Sequence, residues 1–242
     1  VVDVSSRAAH VAAAADALRE TARHLTYVSS VSVYARDDEP GADEHAALAD
    51  PVDPADPGAD GDYAGQKSAA EDAVRAAFGH RGAIVRPGLI VGPGDPTDRF
   101  GYWPARFALA GAEPVLVPDE PDARVQVIDV DDLAAFIVAI GEVLRLAREA
   151  SGHTGDLVAA SPEALLAHGV GYWAGPRSLP LWLPAEATGF ATRSNATYRL
   201  LGGALRPLDE TMARTLVDER SRGLDRARAA GLTRGEEIEL IA

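Results

Sequence analysis

Tyr63-Ala64-Gly65-Gln66-Lys67 sets a phenol and an ammonium four residues apart. On a helix that spacing brings both side chains onto one face, a turn apart. An ammonium beside a phenol favours the phenolate and lowers its pKa from about 10 toward a working value. A tyrosine tuned in this way gives or takes a proton at an alcohol or carbonyl oxygen. Alone the pair is a weak signal, because Tyr and Lys fall at this spacing by chance in many helices. Its surroundings strengthen it. Tyr27-Val28-Ser29-Ser30-Val31-Ser32-Val33-Tyr34 reads as a strand ending in hydroxyls, and open parallel sheets present their strand ends to ligands. A serine there would hydrogen-bond the same substrate oxygen. Arg86 to Gly94 is another strand end, opening into a Gly/Pro loop. Lys67 is also the only lysine in a chain dominated by Arg.

The elements that must position these residues follow from local pattern. Val1–Val4 is a short β-branched strand, Ser5-Ser6 offers a helix cap, and Ala-rich Arg7–His24 predicts a helix. Leu25–Ser30 is a second strand, Tyr63–Gly79 a helix, and His80–Val91 a buried strand ending at Arg86-Pro87. Further on, the pattern predicts a short helix at Trp103–Ala110 and strands at Pro114–Pro118 and Val125–Ile128. Asp131–Ala150 reads as a long helix, followed by a strand at Asp156–Ala159 and a helix at Pro162–His168. Leu179–Pro184 reads as an apolar loop carrying Trp182; with Trp173, packing is the expected role rather than a substrate wall. Helices close the chain at Thr197–Leu201, Leu208–Arg222 and Arg234–Ile241. The last has a capping box in Thr233-Arg234-Gly235-Glu236, and Leu208, Met212 and Leu216 make a core stripe. Strands alternating with helices imply βαβ units and a parallel sheet.

Composition narrows the function classes. The 242 residues carry 23 Lys+Arg against 37 Asp+Glu, a formal charge of −14, which disfavours binding to a phosphate backbone. There is no cysteine, so disulfide scaffolds, thiolate metal centres and Cys nucleophiles are excluded. No run approaches about 18 apolar residues, the minimum for a membrane span. Ten acids (Asp37, Asp38, Glu39, Asp43, Glu44, Asp50, Asp53, Asp56, Asp60, Asp62) fall within Asp37–Asp62, with four prolines and no Lys or Arg. Such a segment is expected to be an extended, solvated loop rather than a metal cluster. The six histidines form no ligand spacing, so no metal site is expected, and no G-x-S-x-G elbow points to a hydrolase.

VSSVSVY, then YxxxK, then RPGLIVGPGD, then QVIDVDDLA, in that order, resembles the extended short-chain dehydrogenases/reductases, the NAD-dependent epimerase/dehydratase family. The resemblance covers roughly Val1 to Phe136. It implies an α/β Rossmann-like parallel sheet flanked by helices over residues 1–140. A small, helix-rich substrate lobe would occupy 141–242. It also implies an NAD- or NADP-dependent oxidoreductase, epimerase or dehydratase with a Ser-Tyr-Lys triad: Ser30 and Tyr63 at the reacting oxygen, Lys67 lowering the Tyr63 pKa and binding the nicotinamide ribose. Ser29 ranks below Ser30 because strand alternation turns it to the other face. Ser5, Pro87 and Leu89 match cofactor-lining positions; Ser32, Arg99, Tyr102 and Arg124 match substrate-lining ones, with surface roles as the alternative for Arg99 and Arg124. The resemblance further implies a small-molecule substrate, nucleotide sugars being one class the family takes. It implies a cytoplasmic location and a homodimer formed through the Arg7–His24 and Tyr63–Gly79 helices.

Departures from the family pattern matter equally. The family's G-x-x-G-x-x-G loop, whose glycines and helix N-terminus cradle a pyrophosphate, has no counterpart in these residues. Gly92-Pro93-Gly94 is no substitute, since it follows Tyr63 and opens into Asp-Pro-Thr rather than a helix. The sequence opens as though inside a strand, without Met or a leader. VVDVSS corresponds to about the family's fourth strand, so roughly 60–75 residues, at about 30 or more per βαβ unit, are expected to be missing. Ile140 runs straight into Gly141-Glu142, as if two helices had been joined by a deletion. The alternative is therefore a non-catalytic relative that keeps the triad by descent and serves as a binding or regulatory module.

Overall fold

The computed structural model describes residues 1–55, 61–120, 123–131, 136–200 and 206–241. The expected loop acids Asp56 and Asp60, residues 132–135 of the expected Asp131–Ala150 helix, and Leu201 lie outside them. Contacts divide the chain into two compact units, Val1–Gly88 with Thr188–Thr197, and Leu89–Ala187 with Tyr198–Ala242. One division of the chain falls after Gly88. The physical reason is a break in one apolar run: Pro87 has no N–H for a sheet ladder, and the strands on either side of it pair with different partners.

In the first unit, β1 (Val2–Asp3), α1 (Ala8–Leu18), β2 (Leu25–Val28), α2 (Tyr63–Phe78) and β3 (Gly82–Val85) form two successive βαβ crossovers. The sheet is parallel in the order β1-β2-β3, with Val2 opposite Thr26 and Val28 opposite Val85. Ala8, Val11 and Ala15 of α1 pack with Ala70, Val74 and Phe78 of α2 over Leu25 and Tyr27. Small side chains on α1 allow this close approach. Ser5 and Ser6 do not cap α1, contrary to expectation. Ser5 N donates to Asp3 Oδ1 at 2.8 Å, and the free N–H of Ala8 is satisfied by Gln66 Oε1 at 2.7 Å.

The acidic segment is more constrained than a solvated loop. Tyr34 and Leu48 form an antiparallel bridge, flanked by Ala35 N to Ala47 O at 2.9 Å and Ala49 N to Val33 O at 2.8 Å. Gly41 N and Ser194 N tie the segment to 188–197 through Thr192 O and Ala42 O.

The second unit holds β4 (Leu89–Val91), α3 (Arg99–Ala110), β5 (Val115–Pro118), β6 (Arg124–Asp129), β7 (Phe136–Ala139), α4 (Ile140–Ser151), β8 (Leu157–Ala160), α5 (Pro162–Ala167), β9 (Gly171–Trp173) and β10 (Ser178–Pro180). After α6 (Ala196–Leu200), at the border of the two units, it ends with α7 (Leu208–Arg222) and α8 (Arg234–Ile241). β4, β5 and β9 pair in parallel with β6, β8 and β10 respectively, and β7 runs antiparallel to β6. Two expectations are corrected here. Phe136–Ala139 is a strand, because its β-branched run finds a partner in Arg124–Val127. The start of Leu179–Pro184 belongs to β10, paired with β9. The core gathers Trp103, Phe107, Leu116, Val143, Met212 and Trp182, with Leu208, Met212 and Leu216 of the α7 stripe buried as expected. The α8 capping box forms: Thr233 N donates to Glu236 Oε2 at 2.8 Å and Glu236 N to Thr233 Oγ1 at 3.2 Å. No helix among the described residues is long and apolar enough to cross a membrane.

Candidate active site

α2 starts where its cap dictates. Asp62 Oδ1 accepts from Gly65 N at 2.8 Å, satisfying one of the orphan donors of the first turn. A Cβ on Gly65 would stand 2.4 Å from Asp62 Oδ2 and 2.6 Å from Val52, so this position admits no side chain. The cap fixes Tyr63 at the first helical position, about half exposed. One turn on, Lys67 is buried at 3% exposure, and its ammonium lies 5.8 Å from the centre of the Tyr63 ring.

Lys67 is the sole lysine of the sequence, and it is held on all sides. Its Nζ donates to Val28 O at 2.9 Å and Ser5 O at 3.1 Å, the ends of β2 and of the β1 segment. It also sits over the Tyr27 ring at 4.8 Å, and the Tyr27 hydroxyl donates to the same Ser5 carbonyl at 3.2 Å. Burial depresses the Lys67 pKa, while the charges of Asp3 and Glu71 partly restore it. Burial first, then the neighbouring Tyr63, Asp3 and Glu71, drives the Tyr27 pKa far above its usual value, so Tyr27 remains a neutral donor. Among the described residues, two of the three Lys67 N–H groups are used, both by carbonyls.

Ser30 follows the end of β2 in an extended conformation and caps the short 3-10 turn Val31–Val33. Its hydroxyl oxygen accepts from Ser32 N at 3.1 Å. On either side, Ser29 N donates to Val85 O at 2.7 Å and Val31 N to Pro87 O at 3.0 Å. Thus Ser5, Ser30, Ser32, Tyr63, Lys67 and Pro87 all belong to the first unit. Ser29 is buried at 4% exposure.

The other expected site residues lie in the second unit. Leu89 is buried in β4 opposite Val127. Arg99 donates to Thr97 Oγ1 at 3.1 Å and lies over the Trp173 ring at 5.2 Å. Arg124 is exposed at the start of β6. Tyr102 is buried at 1% exposure, set edge-on to Trp103 and against the backbone at Gly231. Trp182 is fully buried, with its indole N–H donating to Glu120 Oε2 at 2.6 Å, and the expected packing role holds for it.

Sequence reasoning passed over Glu71 and Arg86. Glu71 has no exposed surface and accepts from Arg86 through both oxygens, at 2.9 and 2.7 Å. The signal was present: an acid eight residues after Tyr63, on the stripe that continues to Val74 and Phe78. Burial opposes the charged form of Glu71, but hydrogen bonds and charge from Arg86, with Arg75, outweigh it and hold its pKa below the usual range.

A model of the NAD dependent epimerase/dehydratase family matches residues 3–150. A ceramide reductase from Caulobacter vibrioides is 48% identical over 77 residues, 32% of this chain and 22% of that protein. The matched part thus spans about a fifth of this curated relative. Among solved structures, a putative epimerase from Burkholderia cenocepacia superposes with a TM-score of 0.59 at 19% identity, over 91% of this chain and 75% of its own. The UDP-glucuronic acid 4-epimerase of Bacillus cereus, solved with NAD, gives 0.59 at 12% identity, over 88% and 66%.

Proposed function

This chain belongs to the NAD dependent epimerase/dehydratase family, and on that footing we propose that it is an NAD(P)-dependent epimerase, dehydratase or reductase with Ser30, Tyr63 and Lys67 as its triad. The observation that carries this reading is the burial of the only lysine ammonium of the sequence near a half-exposed phenol at the ends of parallel strands. The third N–H of Lys67 fits a nicotinamide ribose; for the pyrophosphate end, these 242 residues contain no glycine-rich loop. NAD or NADP, when bound, supplies hydride transfer at its nicotinamide C4. Lys67 binds the ribose hydroxyl and places its positive charge beside the Tyr63 ring. Tyr63 takes a proton from a substrate hydroxyl, or gives one to a carbonyl. Ser30 donates a hydrogen bond to that same oxygen. Pro87 and Ser5 line the cofactor, and Ser32 lies on the substrate side.

The substrate is a small molecule bearing a hydroxyl or carbonyl. A nucleotide sugar, after the Bacillus cereus epimerase, and a ceramide, after the Caulobacter reductase, are the two classes to test. The alternative is a non-catalytic binding or regulatory module that keeps the triad by descent. Titration of NADH and NADPH, followed by nicotinamide fluorescence, separates them: saturable binding supports the enzyme, and its absence supports the module. In self-association, α1 offers the freer surface, since Gly65 to Glu71 of α2 are already buried within the chain.

A further inference from the structure

Glu71 completes a stripe on α2 with Tyr63 and Lys67, each one turn from the next. Its two oxygens receive the Nε and one terminal nitrogen of Arg86 in a fork-to-fork pair, a geometry that fixes orientation as well as charge. Arg75 adds a third hydrogen bond at 2.6 Å. The remaining nitrogen of Arg86 reaches away from the helix. It donates to Tyr34 Oη at 3.2 Å and to Glu44 O at 3.0 Å, and the guanidinium lies over the Tyr34 ring. Tyr34 closes the 3-10 turn that Ser30 caps, through its N–H to Val31 O. The residues flanking Arg86 complete the bracket: Val85 O and Pro87 O accept from Ser29 N and Val31 N, on either side of Ser30. A single guanidinium therefore holds the Ser30 turn from its side chain while its neighbours hold it through the backbone.

We infer that Glu71 is a positioning residue: through Arg86 it holds the Ser30 turn in place relative to the helix face that carries Tyr63 and Lys67. The inference rests on the triad reading for its catalytic meaning, but its physical content is a coupling within the protein alone. Without the Glu71 carboxylate, Arg86 is a buried cation with no counter-charge. It then turns toward water, and Tyr34 and the Ser30 turn lose their anchor. Lys67, which faces Asp3, Tyr27 and Tyr63 as well as Glu71, loses one of its two nearby negative charges.

The test uses the protein without cofactor, so its failure is distinct from failure of the enzyme reading. Because Lys67 is the only lysine, labelling with 15N-lysine gives a single side-chain Nζ resonance. In Glu71→Gln, amide exchange across residues 29–34 is expected to rise about tenfold, and the Lys67 resonance to titrate at lower pH. Arg86→Lys keeps the charge that neutralises Glu71 but cannot make the fork. It adds a second Nζ resonance, told from that of Lys67 by comparison with the wild-type spectrum, and is expected to speed exchange at 29–34 by a similar factor while leaving the Lys67 titration in place. An ion pair that braces only α2 against β3 would lower the melting temperature and leave exchange across 29–34 as in the wild type. Wild-type exchange across 29–34 in Arg86→Lys, or a Lys67 resonance in folded Glu71→Gln that titrates as in the wild type, overturns the inference. Should Glu71→Gln fail to fold, Arg86→Lys alone decides the coupling to the Ser30 turn.

Discussion

Lys67 Nζ donates to Val28 O at 2.9 Å, so the cation of α2 is fastened to the last residue of β2. The bond joins a helix face to the strand end beside Ser30. It also means that Lys67 is a structural cross-brace and a charge source at once, and the two roles respond differently to substitution and to pH.

Tyr63 touches that brace only through the charge beside it, and about half its surface is exposed. Tyr63→Phe is expected to lower turnover by about 10²–10⁴-fold, the usual contribution of a positioned proton donor, with circular dichroism and melting unchanged. Assay with a nicotinamide cofactor and each substrate class checks it; undiminished turnover would reject the proposed mechanism.

Lys67 gives the chain a specific pH signature. Burial lowers its folded pKa below the unfolded value of about 10.4. Between those two values the unfolded chain binds more protons, so stability gained from this group rises with pH. In Lys67→Met that contribution vanishes. The stability of the wild type relative to the variant should therefore grow from pH 7 to pH 10 in urea titrations, and a shrinking difference contradicts the assignment.

Glu237 tests the core of the second unit. It has no exposed surface, pairs with Arg106 at 3.1 Å and accepts from Leu116 N at 3.0 Å. Removing one partner of a buried pair leaves the other uncompensated, at about 3–5 kcal/mol. Glu237→Ala should lose stability of that order in chemical denaturation; a loss below about 1 kcal/mol, the range of exposed pairs, would mean that water reaches Arg106.

Two glycines should respond with opposite sign. Gly231 has a φ of +108°, and a Cβ there would stand 2.2 Å from the Tyr102 ring. Strain and overpacking together predict that Gly231→Ala destabilises by about 2–4 kcal/mol. Gly235 lies in α8 with open space where its Cβ would be, so Gly235→Ala should stabilise by up to about 1 kcal/mol. Thermal melts of the two variants side by side decide both.

The sequence made the first unit legible because its signals are local. The Tyr63–Lys67 spacing, the strand ending in serines and the β-branched run at Val1–Val4 each act within a few residues. What escaped was decided by partners far along the chain. Leu89–Val91 reads as a continuation of the strand before it until Val127–Asp129 is there to pair with it. Phe136–Ala139 fits a helical apolar pattern until Arg124–Val127 lies alongside. The role of Tyr102 depends on a missing side chain at Gly231, which no periodicity announces. Glu71 looked like one more acid on an acidic chain, because only the fold brings Arg86 to it.

A protein whose only ε-amine is walled in by two carbonyls and an aromatic ring shields that amine from acylating reagents. Succinimidyl esters applied to the folded protein will meet no exposed ε-amine until α2 swings away from the strand tips. Any mass increment at Lys67 then becomes a clock for that opening, written into the molecule without a single engineered label.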